Sequence, residues 1–445
     1  MNARFTVAAL GAAAFVACVA FAAAGGTTQR TGLRGTVWVV NKPLESVAAF
    51  DAATGSVRAV IPVGKDPNSV TVAASAAKAY VTNEGSNDVT VISTMTQQVL
   101  GTIPVALRPH HVRTSRDGRR VYVSEYNTNK LVVIDTATDR VVQQYTAVDN
   151  PAALTHSMWI SRDKSTIWAT NEVANQLTEL DAATGGIRWS LSVGQRPSEV
   201  LATPDSRAAY VTVRNENSVR KVDVASRSIT AEVSLPNAPD TIQLSPDRTT
   251  LAVGLRGTPA QLSVIDTATM TVTKTIDVAE PATVAGHNWM SANGRYSFVA
   301  FEGGRSPGVA VVDHTTNTVV TSWSYPGGGR PHGIFYDDPA ATEGPAVTIA
   351  PGTARVSPTR AVSFRVVCSA AAVGFCHGRL VAAGSRTPFA LDAGRTGRVR
   401  VVLSRSVAAR VATLPKLVVR VEAVVVDQLG NPRTSARAVR LVSQR

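Results

Sequence analysis

The apolar and polar positions of this chain fall into a repeating frame over residues 36–338. Seven short apolar runs, each opening on an aromatic or large aliphatic residue, begin the pattern: Trp38–Asn41, Tyr80–Asn83, Tyr122–Glu125, Trp168–Asn171, Tyr210–Val213, Leu251–Gly254 and Phe298–Phe301. Their starts lie 42, 42, 46, 42, 41 and 47 residues apart. A second anchor follows each run, an apolar residue and then Asp or once Ser, at Asp51, Ser93, Asp135, Asp181, Asp223, Asp266 and Asp313. Such a side chain accepts backbone hydrogen bonds and closes a turn. A third anchor is a proline opening the next strand, at Pro67, Pro109, Pro151, Pro197, Pro239, Pro281 and Pro331. Tight-turn signals such as Arg116-Asp-Gly118 and Asn293-Gly294 separate that proline from the next apolar run.

A unit of about 42 residues with four short strands predicts a propeller blade rather than a turn of helical solenoid. The frame therefore predicts an all-β, seven-bladed β-propeller over residues 27–339. It also predicts how the ring closes. The chain enters at a second strand, Thr36–Asn41, and ends the repeat on a first strand, His332–Asp337, so the last strand should complete the first blade and leave no open edge.

The strands Tyr80-Val-Thr-Asn83 and Tyr210-Val-Thr212, with the recurring Ile134-Asp-Thr-Ala-Thr138 and Ile265-Asp-Thr-Ala-Thr269, resemble the YVTN-repeat family of β-propellers over roughly residues 36–338. The resemblance implies a fold and a setting. Members are mostly cell-surface, secreted or periplasmic binding proteins, and some relatives in the wider group resemble lactonases or the heavy chains of quinoprotein and haem enzymes. It implies no particular chemistry, because one fold hosts many functions.

Beyond a linker at 340–345 the pattern changes. Val-rich segments at 360–367, 378–381, 397–403, 417–426 and 436–442, with a turn at Gly430-Asn431-Pro432, predict a small β-sandwich over 346–445, immunoglobulin-like in architecture. Charge separates the two regions. Residues 345–445 hold 16 Arg plus Lys against 3 Asp plus Glu, while residues 1–344 hold 29 of each. The whole net charge of +13 thus belongs to the tail, where it would draw the protein to an anionic cell-wall polymer or membrane surface, or simply keep a small domain soluble. Phe364, Phe375 and Phe389 are its only aromatic residues, which argues against single-stranded nucleic acid as a stacking partner.

The first 26 residues read as a signal peptide: Arg4, an apolar run from Phe5 to Ala24, then Gly25-Gly26. The protein is therefore expected outside the cytoplasm, secreted or on the cell surface. Removing Cys18 with that segment leaves Cys368 and Cys376, which an oxidising compartment would join as a disulfide. So short a loop gains about 2 to 3 kcal/mol on the chain-entropy estimate.

Candidate chemistry gathers at one end of the propeller. In a blade, the loop before the first strand and the loop after the second emerge on the same face. Five of the seven histidines lie where a first strand opens: His110, His111, His156, His287 and His332. Glu84, Glu172 and Glu302 follow the second strands, with Glu125, Asn83 and Asn171 one position earlier. These residues are the candidate ligand-binding set, and His110, His156, His287 and His332 the candidate ligands of a divalent transition metal or players in acid–base catalysis. A Pro-His-Gly opening such as Pro331-His-Gly333 can serve turn formation or interblade packing instead. His156 and His287 stand five and six residues beyond their prolines, whereas His110 and His332 follow theirs directly. A Gly-x-Ser-x-Gly match at Gly304–Gly308 lacks the strand–turn–helix setting of a nucleophile elbow. The residues support first a binding scaffold that presents the propeller face to a ligand or protein and is tethered by its basic tail. An extracytoplasmic hydrolytic or metal-dependent enzyme with a His/Glu site at the channel mouth is the alternative.

Overall fold

The computed structural model describes residues 33–150, 154–279, 282–303, 306–337, 347–350, 353–368, 375–392, 396–413, 417–426 and 432–443. The segment read as a signal peptide and the linker at 340–345 lie outside them.

Residues 36–337 form seven four-stranded antiparallel sheets. The innermost strands are Pro67–Ala73, Pro109–Thr114, Thr155–Ile160, Pro197–Ala202, Pro239–Leu244, Ala282–Met290 and Pro331–Asp337. Each packs against the next, and Pro331–Asp337 packs against Pro67–Ala73, so the ring is closed. The closing blade pairs Pro331–Asp337 with Thr36–Asn41, joining the two ends of the repeat within one sheet, as the repeat frame predicts.

The burial of the strands follows from this stacking. The second strands are buried along their length, Thr36–Asn41 and Thr166–Asn171 at every position and the other five at all but one end residue, because both faces of each sheet are covered by neighbours. Hence they read as continuous apolar runs rather than alternating ones. Outermost strands such as Val57–Pro62 and Val99–Pro104 are largely exposed. Each of the seven propeller cores lies between two adjacent blades. Trp38, Val47 and Ile61 of the first blade meet Val70 and Val81 of the second, and Phe50 of the first blade meets Phe298 and Trp323 of the last. A large apolar side chain fully buried in this way contributes about 1.5 to 3 kcal/mol, and the contact between first and last blades exists only once the ring is shut.

Among the described residues the C-terminal region contains eight strands, seven along one hydrogen-bonded path and the eighth, Thr396–Val402, branching from Ala361–Cys368. Val366, Leu380, Val401, Val421 and Leu441, from five of those strands, share a single buried core. Four elements escape a reading based on valine runs. Val347–Ile349 and Thr353–Val356 are short. Ser385–Asp392 contains Pro388 and sits at the sheet edge, the place where a strand can do without one N–H. Arg405–Thr413 is a helix, opened by Ser404, whose Oγ accepts the Val407 N–H at 3.3 Å. Cys368 is buried in the core, and the side chain of Cys376 lies outside the described residues.

Candidate functional site

Every innermost strand carries a β-bulge where it opens. In the second blade Pro67 faces Asn83 and Ser69 faces Thr82, leaving Asn68 unpaired. In the third, Pro109 faces Glu125 and Val112 faces Val123, so two residues fill the place of one. The same shift follows Thr155, Pro197, Pro239, Ala285 and Pro331. A bulge re-aims side chains, and here it turns them into the channel. In chain order from the second blade, its first position holds Asn68, His110, His156, Ser198, Asp240, Gly286 and His332. The second position holds Ser69, His111, Ser157, Glu199, Thr241, His287 and Gly333. The uneven spacing of histidines from prolines therefore disappears in register: His156 is equivalent to His110 and His332, and His287 to His111.

In four blades a hydroxyl of the second strand, from Thr82, Ser124, Thr170 or Thr212, holds the bulge. Thr82 Oγ1 accepts the Ser69 N–H at 3.1 Å and donates to the His110 carbonyl of the next blade at 2.6 Å. Ser124 does the same for His111 N–H and the His156 carbonyl, and Thr170 for Ser157 N–H and the Ser198 carbonyl. The third residue of the Tyr-Val-Thr-Asn pattern thus fixes both the bulge and the spacing of neighbouring blades.

All five histidines line one cavity of about 360 Å³ at this end of the channel. Their rings form an unbroken chain. His110 and His156 have centroids 4.6 Å apart, His156 and His111 4.8 Å, His111 and His287 4.8 Å with planes 13° apart, and His287 and His332 4.7 Å. His110 Nε2 lies 3.2 Å from His156 Nε2. Two groups of candidate metal donors result, His110/His111/His156 and His111/Glu199/His287, the donor atoms within each lying within 4.8 Å of one another. Burial pushes the imidazoles of His111, His156 and His287 well below the ordinary histidine range, and that of His110 down as well.

Around the histidines stands a ring of ion pairs. Glu84 accepts from Arg108 Nη2 at 2.7 Å and meets His110 Nδ1 at 2.5 Å. Burial raises its pKa, but His110, Lys42 and Arg108 outweigh that and hold it at about 2. Glu302 is held at about 2 in the same way by His332 Nδ1, 2.7 Å away, and by Arg330. Glu172 accepts from Tyr126, Arg196 and Arg214 at 2.9, 3.1 and 2.7 Å. Asp240 takes Arg214 and, at 3.0 Å, Arg256. Burial opposes its charge, yet the two guanidinium groups hold its carboxyl well below the carboxylate range. Glu199 lies 3.1 Å from His111 Nδ1 and 3.2 Å from Arg113, and burial pushes its carboxyl up.

Three residues expected at the mouth turn elsewhere. Glu125 accepts the Ala106 N–H at 3.0 Å and a weaker bond from Thr128, bracing a loop. Asn83 donates to Asp88 and Thr90 within its own hairpin. Asn171 accepts from Thr155 and donates to Thr178. As last residues of second strands they point along the sheet. The next residue along reaches the mouth instead, where the seven blades read Lys42, Glu84, Tyr126, Glu172, Arg214, Arg256 and Glu302, the last still within its longer strand Tyr296–Gly303.

The cations went unnoticed in the sequence although they occupy two repeat positions. Lys42, Arg214 and Arg256 follow second strands, and Arg108, Arg196 and Arg330 precede first ones. All six line the cavity, whose lining includes only two carboxylates, Glu84 and Glu302. The side chains of Arg108, Arg196, Arg256 and Arg330 are 43% to 61% exposed. The opposite end of the channel opens into a cavity of about 300 Å³ lined by Trp159, Trp289 and Phe335, without a histidine.

Comparison with known proteins agrees with this architecture. A protein of unknown function from Desulfotomaculum acetoxidans DSM 771 shares 17% identity at a TM-score of 0.58, over 68% of this chain and 99% of that one. Kuenenia stuttgartiensis hydrazine synthase shares 19% identity at a TM-score of 0.52, over 68% of this chain and 99% of that one. Both likenesses are of fold. No curated protein sequence matches. Residues 37–213, which run from the first blade into the fifth, are similar to the family model of the YNCE-like beta-propellers.

Proposed function

We propose that this protein is an extracytoplasmic recognition scaffold that binds a small anionic ligand at the histidine-lined mouth of its propeller and is held at an anionic surface by its basic tail. The observation that carries the reading is the surplus of cations at the mouth: six Lys and Arg side chains line the cavity against the four carboxylates that pair with them, Glu84, Glu172, Asp240 and Glu302. Carboxylate partners pre-position the guanidinium groups, and the exposed donors that remain can fork onto a carboxylate or phosphate. The buried imidazoles of His110, His111, His156 and His287, pushed below their ordinary range by burial, are neutral at physiological pH and supply directional contacts. The secreted setting rests on the N-terminal segment, and the Cys368–Cys376 disulfide is part of the same proposal.

The tail reading has its own support. We take this region as an immunoglobulin-like sandwich whose exposed face carries Arg365 directly opposite Arg398, with Arg400 two residues along. Like charges directly opposite on a sheet repel, and an anionic surface would relieve them at roughly 1 kcal/mol per residue.

Calorimetric titration of the full chain with inorganic pyrophosphate and with citrate tests the mouth. Arg256→Ala and Arg330→Ala should each weaken binding at least tenfold, while Arg365→Glu/Arg398→Glu/Arg400→Glu should leave it unchanged and instead release the protein from phosphatidylglycerol vesicles. Polyanion binding that ignores the rim substitutions would contradict the reading.

The enzyme alternative has one specific observation in its favour, the cluster of buried imidazoles with unused ring nitrogens.

A further inference from the structure

Imidazoles packed edge to edge in a protein interior must share out their protons and lone pairs, and at this mouth the tautomers are determined by partners that can only accept. His110 Nδ1 faces Glu84 Oε1 at 2.5 Å. A carboxylate oxygen facing an imidazole nitrogen at that distance accepts its hydrogen, so Nδ1 carries it. Asn68 Nδ2 lies 3.1 Å from both that nitrogen and the His110 carbonyl oxygen; with the Nδ1 hydrogen directed at Glu84, the carbonyl is its acceptor. His156 Nδ1 faces the Ser198 carbonyl oxygen at 3.0 Å, and a carbonyl likewise only accepts. In both rings the remaining nitrogen, Nε2, therefore presents a lone pair. These two lone-pair nitrogens are the atoms that stand 3.2 Å apart.

Two lone pairs at that distance repel unless a cation lies between them. The separation is also the one a metal would require: Zn–N bonds of about 2.0 to 2.1 Å at a tetrahedral angle place two ligand nitrogens about 3.3 Å apart. The supporting hydrogen bonds match as well, since a metal-bound histidine characteristically gives its other N–H to a carboxylate or a backbone carbonyl. Glu84 and Ser198 are one of each.

A third donor is present. His111 occupies the second bulge position beside His110, is 1% exposed, and has no hydrogen-bond partner at either ring nitrogen. Its Nδ1 approaches Glu199 Oε1 at 3.1 Å without hydrogen-bond geometry. A buried imidazole with both nitrogens unused costs free energy, and a ligand atom within 4.8 Å of those of His110 and His156 gives one of them a use. From these observations we propose that His110, His111 and His156 form a three-imidazole site for a late first-row divalent metal ion, with His110 Nε2 and His156 Nε2 as two of its ligands. Three neutral imidazoles suit zinc, copper, nickel, cobalt or iron rather than magnesium or calcium, and they leave a coordination position open toward the cavity. This inference does not depend on the anion-binding reading, because a metal can be present whether or not pyrophosphate or citrate binds.

The structure also gives the arrangement a boundary. His332 is bound through Nδ1 to Glu302 but belongs to neither donor group. His287 shares His111 with Glu199 in a deeper group. The set expected from sequence, His110, His156, His287 and His332, thus divides, and His111 replaces its last two members.

The test is metal analysis of the full chain, expressed without a histidine tag, followed by titration with cobalt(II) and competition with zinc. One equivalent of metal per chain is expected, with the visible absorption of a low-coordinate cobalt centre. His110→Ala and His156→Ala should each weaken binding at least 100-fold. Glu84→Gln, which keeps the shape but weakens the support of His110, should weaken it about 10- to 100-fold, and His332→Ala should leave it within twofold. Failure of the folded wild-type chain to bind zinc or cobalt would overturn the proposal. So would binding that survives His110→Ala/His156→Ala, or that is abolished by His287→Ala while His156→Ala spares it. Because the first of these outcomes is read on the unaltered chain, a variant that fails to fold does not shield the proposal.

Discussion

The two ends of the propeller are built on opposite rules. At one end the blades repeat a single device: Oδ1 of Asp51, Asp135, Asp181 and Asp266 each accepts the N–H groups two and three residues on, together with the Thr hydroxyl that follows. Asp223 and Asp313 make shorter versions of the same turn. At the other end the backbone also repeats, with a bulge in every blade, but the side chains it presents do not. The first bulge position holds Asn, His, His, Ser, Asp, Gly and His in turn. The difference teaches how to read a repeat protein. Positions where the blades agree maintain the fold, and positions where an identical backbone carries different side chains are the ones available for chemistry.

That lesson fails if the bulge positions tolerate any residue, and Gly333 offers the largest effect with which to examine it. A Cβ there would come within 2.3 Å of the Asn68 carbonyl oxygen and 2.8 Å of Ser69 Cα, both backbone atoms of the neighbouring blade. Gly333→Ala should cost about 3 kcal/mol in chemical denaturation, and a neutral result would mean that variation at this position carries no information. The next effect belongs to Thr82, a repeated residue at the variable end. Thr82→Val removes one hydroxyl and leaves Ser69 N–H and the His110 carbonyl without it, costing about 2 kcal/mol. A stable Thr82→Val protein would show that the repeated hydroxyls are not what fixes the bulges.

The smallest effect is expected at the turn end, from pH. Asp51 and Asp313, where side-chain and backbone hydrogen bonds overcome burial, and Asp181, Asp223 and Asp266, where the hydrogen bonds themselves dominate, all titrate below their ordinary value of 3.8. Asp181 reaches about 2. A carboxyl with a lowered folded-state pKa contributes stability that is complete above its unfolded pKa and is lost as pH falls through the folded one. The melting temperature should therefore hold steady above pH 5 and decline between about pH 4 and pH 2. In Asp181→Asn/Asp223→Asn/Asp266→Asn the decline should be shallower from a lower starting point. The tail contributes little to this transition, having only three carboxylates.

The same rules explain what the sequence disclosed. The ring, its closure and its seven blades were legible because Trp38, Tyr80 and their counterparts must fill the same interblade space each time. The histidines were legible because they are rare. Their register was not, because His156 and His287 come five and six residues after a proline in the sequence, whereas His110 and His332 follow theirs directly. Glu199 and Asp240 stand as far from Pro197 and Pro239 as His111 and His110 do from Pro109; they were missed because carboxylates, unlike histidines, are common in the chain. Asn83, Asn171 and Glu125 were placed one residue too early, since the side chain that clears the sheet end belongs to the residue after the strand. The arginines were hidden by their abundance. Arg196 and Arg330 look like solvated charges until the closed ring brings both to one cavity.

Cobalt(II) titration of two full-length variants side by side tests most directly whether the variable end, and not the repeated one, carries the chemistry. The account predicts that the turn-end triple variant Asp181→Asn/Asp223→Asn/Asp266→Asn, though less stable, binds one equivalent like the wild type, while His110→Ala/His156→Ala, though folded, binds none. Retention of the full equivalent by the histidine variant would contradict it.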